Sequence, residues 1–304
     1  MKDYPRDMTG YGALPPQPRW PGAARVAVQF VINYEEGGEN SVLHGDVGSE
    51  AFLSEMVGAR SIPGVRAMAM ESLYEYGSRA GFWRLYRLFT ERRMPVTVFG
   101  VALALARNPD AVDAMMKAEW EIASHGLRWI DYQDVPADVE RQHIAEAIAI
   151  QTALTGTRPL GWYQGRTSPD TARLVAEEGG FTYDADSYAD DLPYYDRTWQ
   201  AKTGRAQLIV PYTLDANDMK IVALNGFTEG EQFYRYLRDT FDQLWDEGEE
   251  QPRMMSVGLH CRIAGRPGRA RAVARFLDHV MARQQVWVAT RLDIARHWLE
   301  VHPA

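Results

Sequence analysis

One cysteine, Cys261, among 304 residues excludes an internal disulfide and any zinc site built on thiolates. Positive charge is also in short supply: 33 Lys and Arg stand against 41 Asp and Glu, for a net charge of −8. The one local basic run, Arg262, Arg266, Arg269 and Arg271, is broken by glycine and proline, so no continuous basic stripe exists for a nucleic-acid partner. Long apolar runs are missing as well. No stretch approaches the roughly 20 apolar residues of a membrane span, and Met1–Asp7 contain no apolar core of a signal peptide. These absences predict a soluble, cytoplasmic protein with neither nucleic acid nor membrane as partner. What is present is ordinary globular composition, 46% hydrophobic and 24% charged, in a chain long enough to bury a large core without a metal or a disulfide.

The expected organisation is a single catalytic domain over 1–304. A Pro- and Gly-rich arm covers 1–24, and a long, weakly periodic insertion covers 37–78. That insertion reads as a lid or oligomer contact, or as a structural element packed on the side of the sheet. From residue 79 the pattern alternates. Helical periodicity over 79–93 precedes a strand at 95–99, and Asn108-Pro109-Asp110 opens the next helix. Strands at 119–124, 159–163, 207–211, 254–259 and 286–289 are separated by helices at 134–154, 168–178, 229–247, 269–283 and 292–301. Alternation with short links predicts an α/β fold with a parallel sheet, closed into a barrel or doubly wound.

The polar residues collect at strand ends. The apolar run Val28–Asn33 ends in Tyr34 and the paired acids Glu35 and Glu36, followed by Gly37-Gly38. His125, Arg166 and His260 each follow another predicted strand. In a parallel barrel those ends meet on one rim, the functional face. A lone histidine beside a strand is more often structural, but four strand ends delivering acid, base and cation argue for a site. Cys261, next to His260, falls on the opposite face by strand alternation and is not a nucleophile candidate. His143, His279, His297 and His302 receive no role.

In order, Tyr34-Glu35-Glu36-Gly37, Ser124-His125-Gly126-Leu127-Arg128-Trp129, Arg166-Thr167-Ser168-Pro169 and Leu259-His260 resemble the motif series of the polysaccharide deacetylase (NodB-homology) superfamily. That series is Phe-Asp-Asp-Gly, His-x-x-x-His, Arg with a following Pro, and Leu-x-His. The resemblance spans 34–260 and implies a distorted (β/α)7 barrel. In that family the second acid and both histidines hold a divalent metal. Here Trp129 stands at the second histidine's place and both aspartates are glutamates. An indole cannot coordinate zinc, and Glu36 with His125 falls short of three protein ligands. The expectation is therefore no metal and no cofactor.

The departures themselves resemble the PuuE-type allantoinase branch. They do so through residues 4–12, Asn33-Tyr34-Glu35-Glu36-Gly37-Gly38-Glu39, Glu75-Tyr76-Gly77-Ser78-Arg79, Arg262-Ile263-Ala264-Gly265-Arg266-Pro267 and Thr290-Arg291-Leu292-Asp293-Ile294-Ala295. That branch opens the hydantoin ring of allantoin to allantoate in purine breakdown. The resemblance implies allantoin as substrate, metal independence and a homo-oligomer, commonly a tetramer.

Ring opening needs a base for water, a stabiliser for the oxyanion and a proton for the leaving nitrogen. Glu35 is the expected base, with Glu36 close enough to share a proton. His125 and His260 would flank the carbonyl, and Arg166, by the resemblance, would orient the acid. Trp129 and Tyr163 are candidate walls for a flat substrate. Tyr34, Asn33 and Asn225 are candidate substrate contacts, with core aromatic and turn asparagine as the structural readings. Three rival functions stand beside the lead: a metal-dependent N-deacetylase of a sugar or peptidoglycan fragment, another cyclic-imide hydrolase, and a non-catalytic ligand-binding barrel.

Overall fold

The computed structural model describes residues 4–223 and 225–304. Val26–Tyr34 form strand β1, and all nine residues are buried, as β-branched and aromatic side chains must be on a strand covered on both faces. The strands that follow are β2 (Thr97–Gly100), β3 (Glu121–Ser124), β4 (Gly161–Trp162), β5 (Tyr183–Asp184), β6 (Tyr194–Asp196), β7 (Gln207–Ile209), β8 (Arg253–His260) and β9 (Val286–Val288). They form one sheet in the order β6-β7-β5-β4-β3-β2-β1-β8, with β9 beside the start of β1. Only the β6–β7 pair is antiparallel. The parallel strands curl round until Asn217, beyond β7, bridges Gly258 on β8. This is the distorted (β/α)7 barrel that the resemblance implies.

Around the sheet run α1 (Met68–Tyr76), α2 (Phe82–Glu91), α3 (Ala102–Arg107), α4 (Pro109–Lys117), α5 (Ala137–Thr155), α6 (Thr171–Glu178), α7 (Gln200–Thr203), α8 (Gly230–Glu247), α9 (Pro267–Met281) and α10 (Arg291–Val301). Their ends follow local chemistry. The Asn108 side chain caps α4 by accepting from the Ala111 N–H, and α5 stops where Gly156 takes the left-handed conformation. The helix expected from residue 79 is instead entered through a π-helical turn at Gly77–Gly81, and α1 arises inside the segment expected to be only weakly periodic. Gly81 has ordinary helical φ; glycine is needed there because a methyl would strike the Cys261 carbonyl. Among the described residues no helix is long and apolar enough to cross a membrane.

Strand alternation divides β1 between two cores. Val26, Val28, Phe30, Ile32 and Tyr34 face the helices, where Phe82, Phe89 and Phe276 pack on them. Ala27 and Val31 face the barrel interior with Phe99, Tyr163 and Tyr212. The same inward face carries polar Gln29 and Asn33. Arg291, fully buried, donates to Gln29 Oε1 (2.5 Å), Ser256 Oγ (3.0 Å) and the Pro211 carbonyl (3.0 Å) inside the barrel. The guanidinium so paired lies at the level of Gln29, before Asn33 on the inward face of β1.

Candidate active site

The inward face of β1 continues past Asn33 to Glu35. Its Oε1 lies 3.4 Å from His125 Nε2 and 3.4 Å from His260 Nε2, and its Oε2 accepts from Arg262 Nη1 at 2.5 Å. The parallel register Asn33↔His260 explains the arginine. Two residues further along each chain, Glu35 and Arg262 stand side by side. His125 arrives from β3, which β2 separates from β1. All four residues are buried.

The charges are mutually arranged. Burial pushes the Glu35 carboxyl up, but the Arg262 guanidinium and His260 outweigh it and hold Glu35 well below the ordinary carboxylate range. Burial likewise opposes a charge on His260, yet Glu35 and Asp218 raise its pKa to about 9. Asp218 works at close range: Oδ1 is 2.6 Å from His260 Nδ1, while Oδ2 accepts from the backbone N–H of His260 (2.8 Å) and Ala264 (2.9 Å). A carboxylate and an imidazolium therefore face each other at neutral pH. His125 differs. Neither ring nitrogen has a hydrogen-bond partner among the described residues, its contact with Glu35 being close but not aligned.

Glu36 does not join the cluster as an equal. Its carboxylate accepts from the backbone N–H of Glu35 and of Arg262, both at 3.1 Å, and it fills the space that Gly77 leaves open. Burial raises its pKa to about 7, with the attraction of Arg262 opposing and the repulsion of Glu35 assisting. The two acids are thus pushed apart in pKa, Glu35 down and Glu36 up.

Several expected site residues land elsewhere. Arg166 does not touch Glu35; it pairs with Glu50 (3.4 Å) and Asp131 (3.6 Å) and lies over the rings of Phe52 and Trp129. The arginine that pairs with Glu35 is Arg262. Tyr34 faces outward, where its hydroxyl meets Ser78 (3.1 Å) and Asn108 (2.9 Å), because successive residues of β1 alternate faces. Asn225 is an exposed turn residue in the left-handed conformation. Asn33 points inward and donates to the Tyr212 hydroxyl at 2.9 Å. Tyr163 stands beside His125, with ring centroids 4.9 Å apart, and stacks on Phe99 in the interior core. The Trp129 ring is already covered, stacked with Phe52 and lying 5.2 Å from the Arg262 guanidinium carbon.

Sequence reasoning missed Arg262 and Asp218 as site members. Arg262 had a usable signal, since it follows the strand-end His260 by two residues. Asp218 had none, for it sits in a 3-10 turn (Asp218–Ile221) that no strand end marks.

The donors do not fit a divalent ion. Trp129 offers no lone pair, and the Arg262 cation already pairs with Glu35. Among the described residues no group of three His, Cys, Asp or Glu is arranged to hold a metal.

The polysaccharide deacetylase family model matches residues 67–183. A Schizosaccharomyces pombe (strain 972) protein named "Putative polysaccharide deacetylase" is 44% identical over 314 aligned residues, which cover 98% of each chain. Among solved structures, "Puue Allantoinase" is 57% identical with a TM-score of 0.97, covering 99% of each chain. A "probable Polysaccharide deacetylase" from Pseudomonas aeruginosa PAO1 is 58% identical with a TM-score of 0.97, covering 99% of this chain and all of that one.

Proposed function

The chain belongs to the polysaccharide deacetylase family of hydrolases, and on that premise we propose that it is a cytoplasmic, metal-independent allantoinase that opens the hydantoin ring of allantoin to allantoate. The observation that carries this reading is the buried ion cluster: a carboxylate, Glu35, held between an imidazolium and a guanidinium where metal donors are lacking. Glu35, ionised across the neutral range, accepts the proton of water as the oxygen attacks the ring carbonyl. His125, with both ring nitrogens unpaired, polarises that carbonyl. As the C–N bond breaks, the leaving nitrogen takes the proton on His260 Nε2, whose other nitrogen is fixed by Asp218. Glu35 then passes its proton across 3.4 Å to His260, restoring both, and the new carboxylic acid ionises to solvent. The 57% identity to an allantoinase supports the substrate, while the 58% identity to a probable deacetylase supports the rival, a metal-dependent N-deacetylase.

Purified protein is expected to convert allantoin to allantoate at a rate unchanged by exhaustive chelation, and to leave chito-oligosaccharide intact. Turnover of the sugar alone, or only after zinc or cobalt is added, rejects the allantoinase reading.

The cluster lies under the insertion: Phe52 stacks on Trp129, Glu50 binds Arg166, and Glu55 binds Arg269 at 2.6 Å. We propose that residues 37–78 open as a lid, since a substrate must reach side chains that are now covered. Hydrogen exchange in this segment should be faster in the free enzyme and slowed by allantoate; equal exchange in both states counts against a lid. Val47, Val57 and Met68 stand exposed on the same segment and support a homo-oligomer, with the tetramer as its expected form. Light scattering at the monomer mass of 34.4 kDa would remove that part of the proposal.

A further inference from the structure

The amide hydrolysis just described sets one donor against the carbonyl, His125, yet a charged donor stands unused beside Glu35. Arg262 is 4% exposed. Its Nη1 is committed to Glu35, but Nε and Nη2 have no hydrogen-bond partner among the described residues. These two N–H groups point the same way from one edge of a planar fork. The guanidinium is held rigidly, with Tyr74 at 4.5 Å and Trp129 at 5.2 Å from its central carbon and its own backbone N–H on Glu36. Leaving two charged donors buried and unpaired is unfavourable unless something else binds them.

We infer that this free edge of Arg262 is the subsite for the carbonyl oxygen under attack, making Arg262 a further catalytic residue of the allantoin hydrolysis proposed above, on which the inference rests. When the water oxygen bonds to the carbon, its proton goes to Glu35 and the C=O π pair moves onto the oxygen. Negative charge leaves one side of Arg262, at Glu35, and appears on the other, at the oxyanion, so the guanidinium stays neutralised throughout. When the C–N bond breaks, its electron pair leaves with the nitrogen, which His260 protonates. The carbonyl re-forms within a carboxylic acid, which loses its proton to solvent and becomes a carboxylate whose two oxygens match the two N–H groups of the same edge. The edge therefore holds the product carboxylate by the same two bonds.

The test is Arg262→Lys, which keeps a cation beside Glu35 but removes the fork. We expect kcat on allantoin to fall about 10²–10³-fold, KM to move by less, the acid limb of the pH profile to stay in place, and competitive inhibition by allantoate to weaken more than about tenfold. In Arg262→Ala, added guanidinium chloride at non-denaturing concentration should restore part of kcat. A kcat for Arg262→Lys within about threefold of the unaltered enzyme, or unchanged inhibition by allantoate, overturns the inference and leaves the allantoinase reading intact. The converse is also readable. If the unaltered enzyme acts on chito-oligosaccharide and not on allantoin, and Arg262→Lys loses that turnover, the substrate reading falls and Arg262 stands. Should the variants fail to fold, a crystal structure of the unaltered protein with allantoate decides: a carboxylate within hydrogen-bond reach of Nε and Nη2 supports the subsite, and a carboxylate bound elsewhere rejects it.

Discussion

Glu35→Gln is expected to lower kcat for allantoin opening by about 10²–10⁴-fold, the usual worth of a positioned general base. Glutamine keeps the shape of the side chain but has no lone pair basic enough to take the proton of water. The substitution also leaves Arg262 and His260 buried against a neutral amide. Removing one member of a buried ion cluster commonly costs about 3–5 kcal/mol, so the melting temperature should fall as well. The two effects are separated by measuring steady-state allantoate formation at a temperature below both melting transitions. A variant that keeps more than about a tenth of wild-type kcat there would remove Glu35 from the base position and turn attention to His125.

The second large effect concerns the acid. His260→Gln is expected to cost a similar factor in kcat, about 10²–10⁴-fold, because His260 Nε2, 3.4 Å from Glu35 Oε1 and fixed through its other nitrogen by Asp218, is the group that protonates the leaving nitrogen in this mechanism. The pH dependence carries the sharper information. The proton on His260 is held to about pH 9 against an ordinary value of 6.5, so kcat/KM should hold through neutral pH and fall as pH rises through about 9. Asp218→Asn removes one of the two carboxylates responsible, and the alkaline limb should move down toward the ordinary histidine range. The same linkage acts on stability. A group whose folded-state pKa is raised contributes stability that is complete below pH 6.5 and is lost as pH rises through about 9. The melting temperature should therefore decline across that window in the unaltered protein and decline less in Asp218→Asn. An alkaline limb that Asp218→Asn does not move would show that some other group supplies the proton.

Most elements of the barrel are legible in the sequence, and the reason is local. Helix and strand periodicities, the Asn108-Pro109 start and the Gly156 stop are properties of a few neighbouring residues. The segment 181–206 is not legible in this way. Its strands, Tyr183–Asp184 and Tyr194–Asp196, are two and three residues long, too short for a period to register, and exist because the sheet pairs them. Helix α1 escapes detection for a related cause, since its burial is set by the barrel beneath it more than by a regular apolar face.

The catalytic end divides in the same way. The sequence alone determined that Glu35, Glu36, His125 and His260 sit at strand ends, and that Trp129 stands where a metal ligand was expected. It also determined the alternation that turns Asn33 inward, and with it Tyr34 outward, although that consequence is plain only once the strand limits are known. Only the tertiary structure decided which arginine meets Glu35. Arg166 and Arg262 both follow strand ends, but β8 lies directly against β1 in register Asn33↔His260, while β4 lies three strands away. It also decided that Asp218, 42 residues before His260 in the chain, would hold that histidine's proton. A carboxylate's partner is chosen by distance in space, and at a few ångströms in a buried site that distance is set by strand register and loop path, which no local pattern encodes.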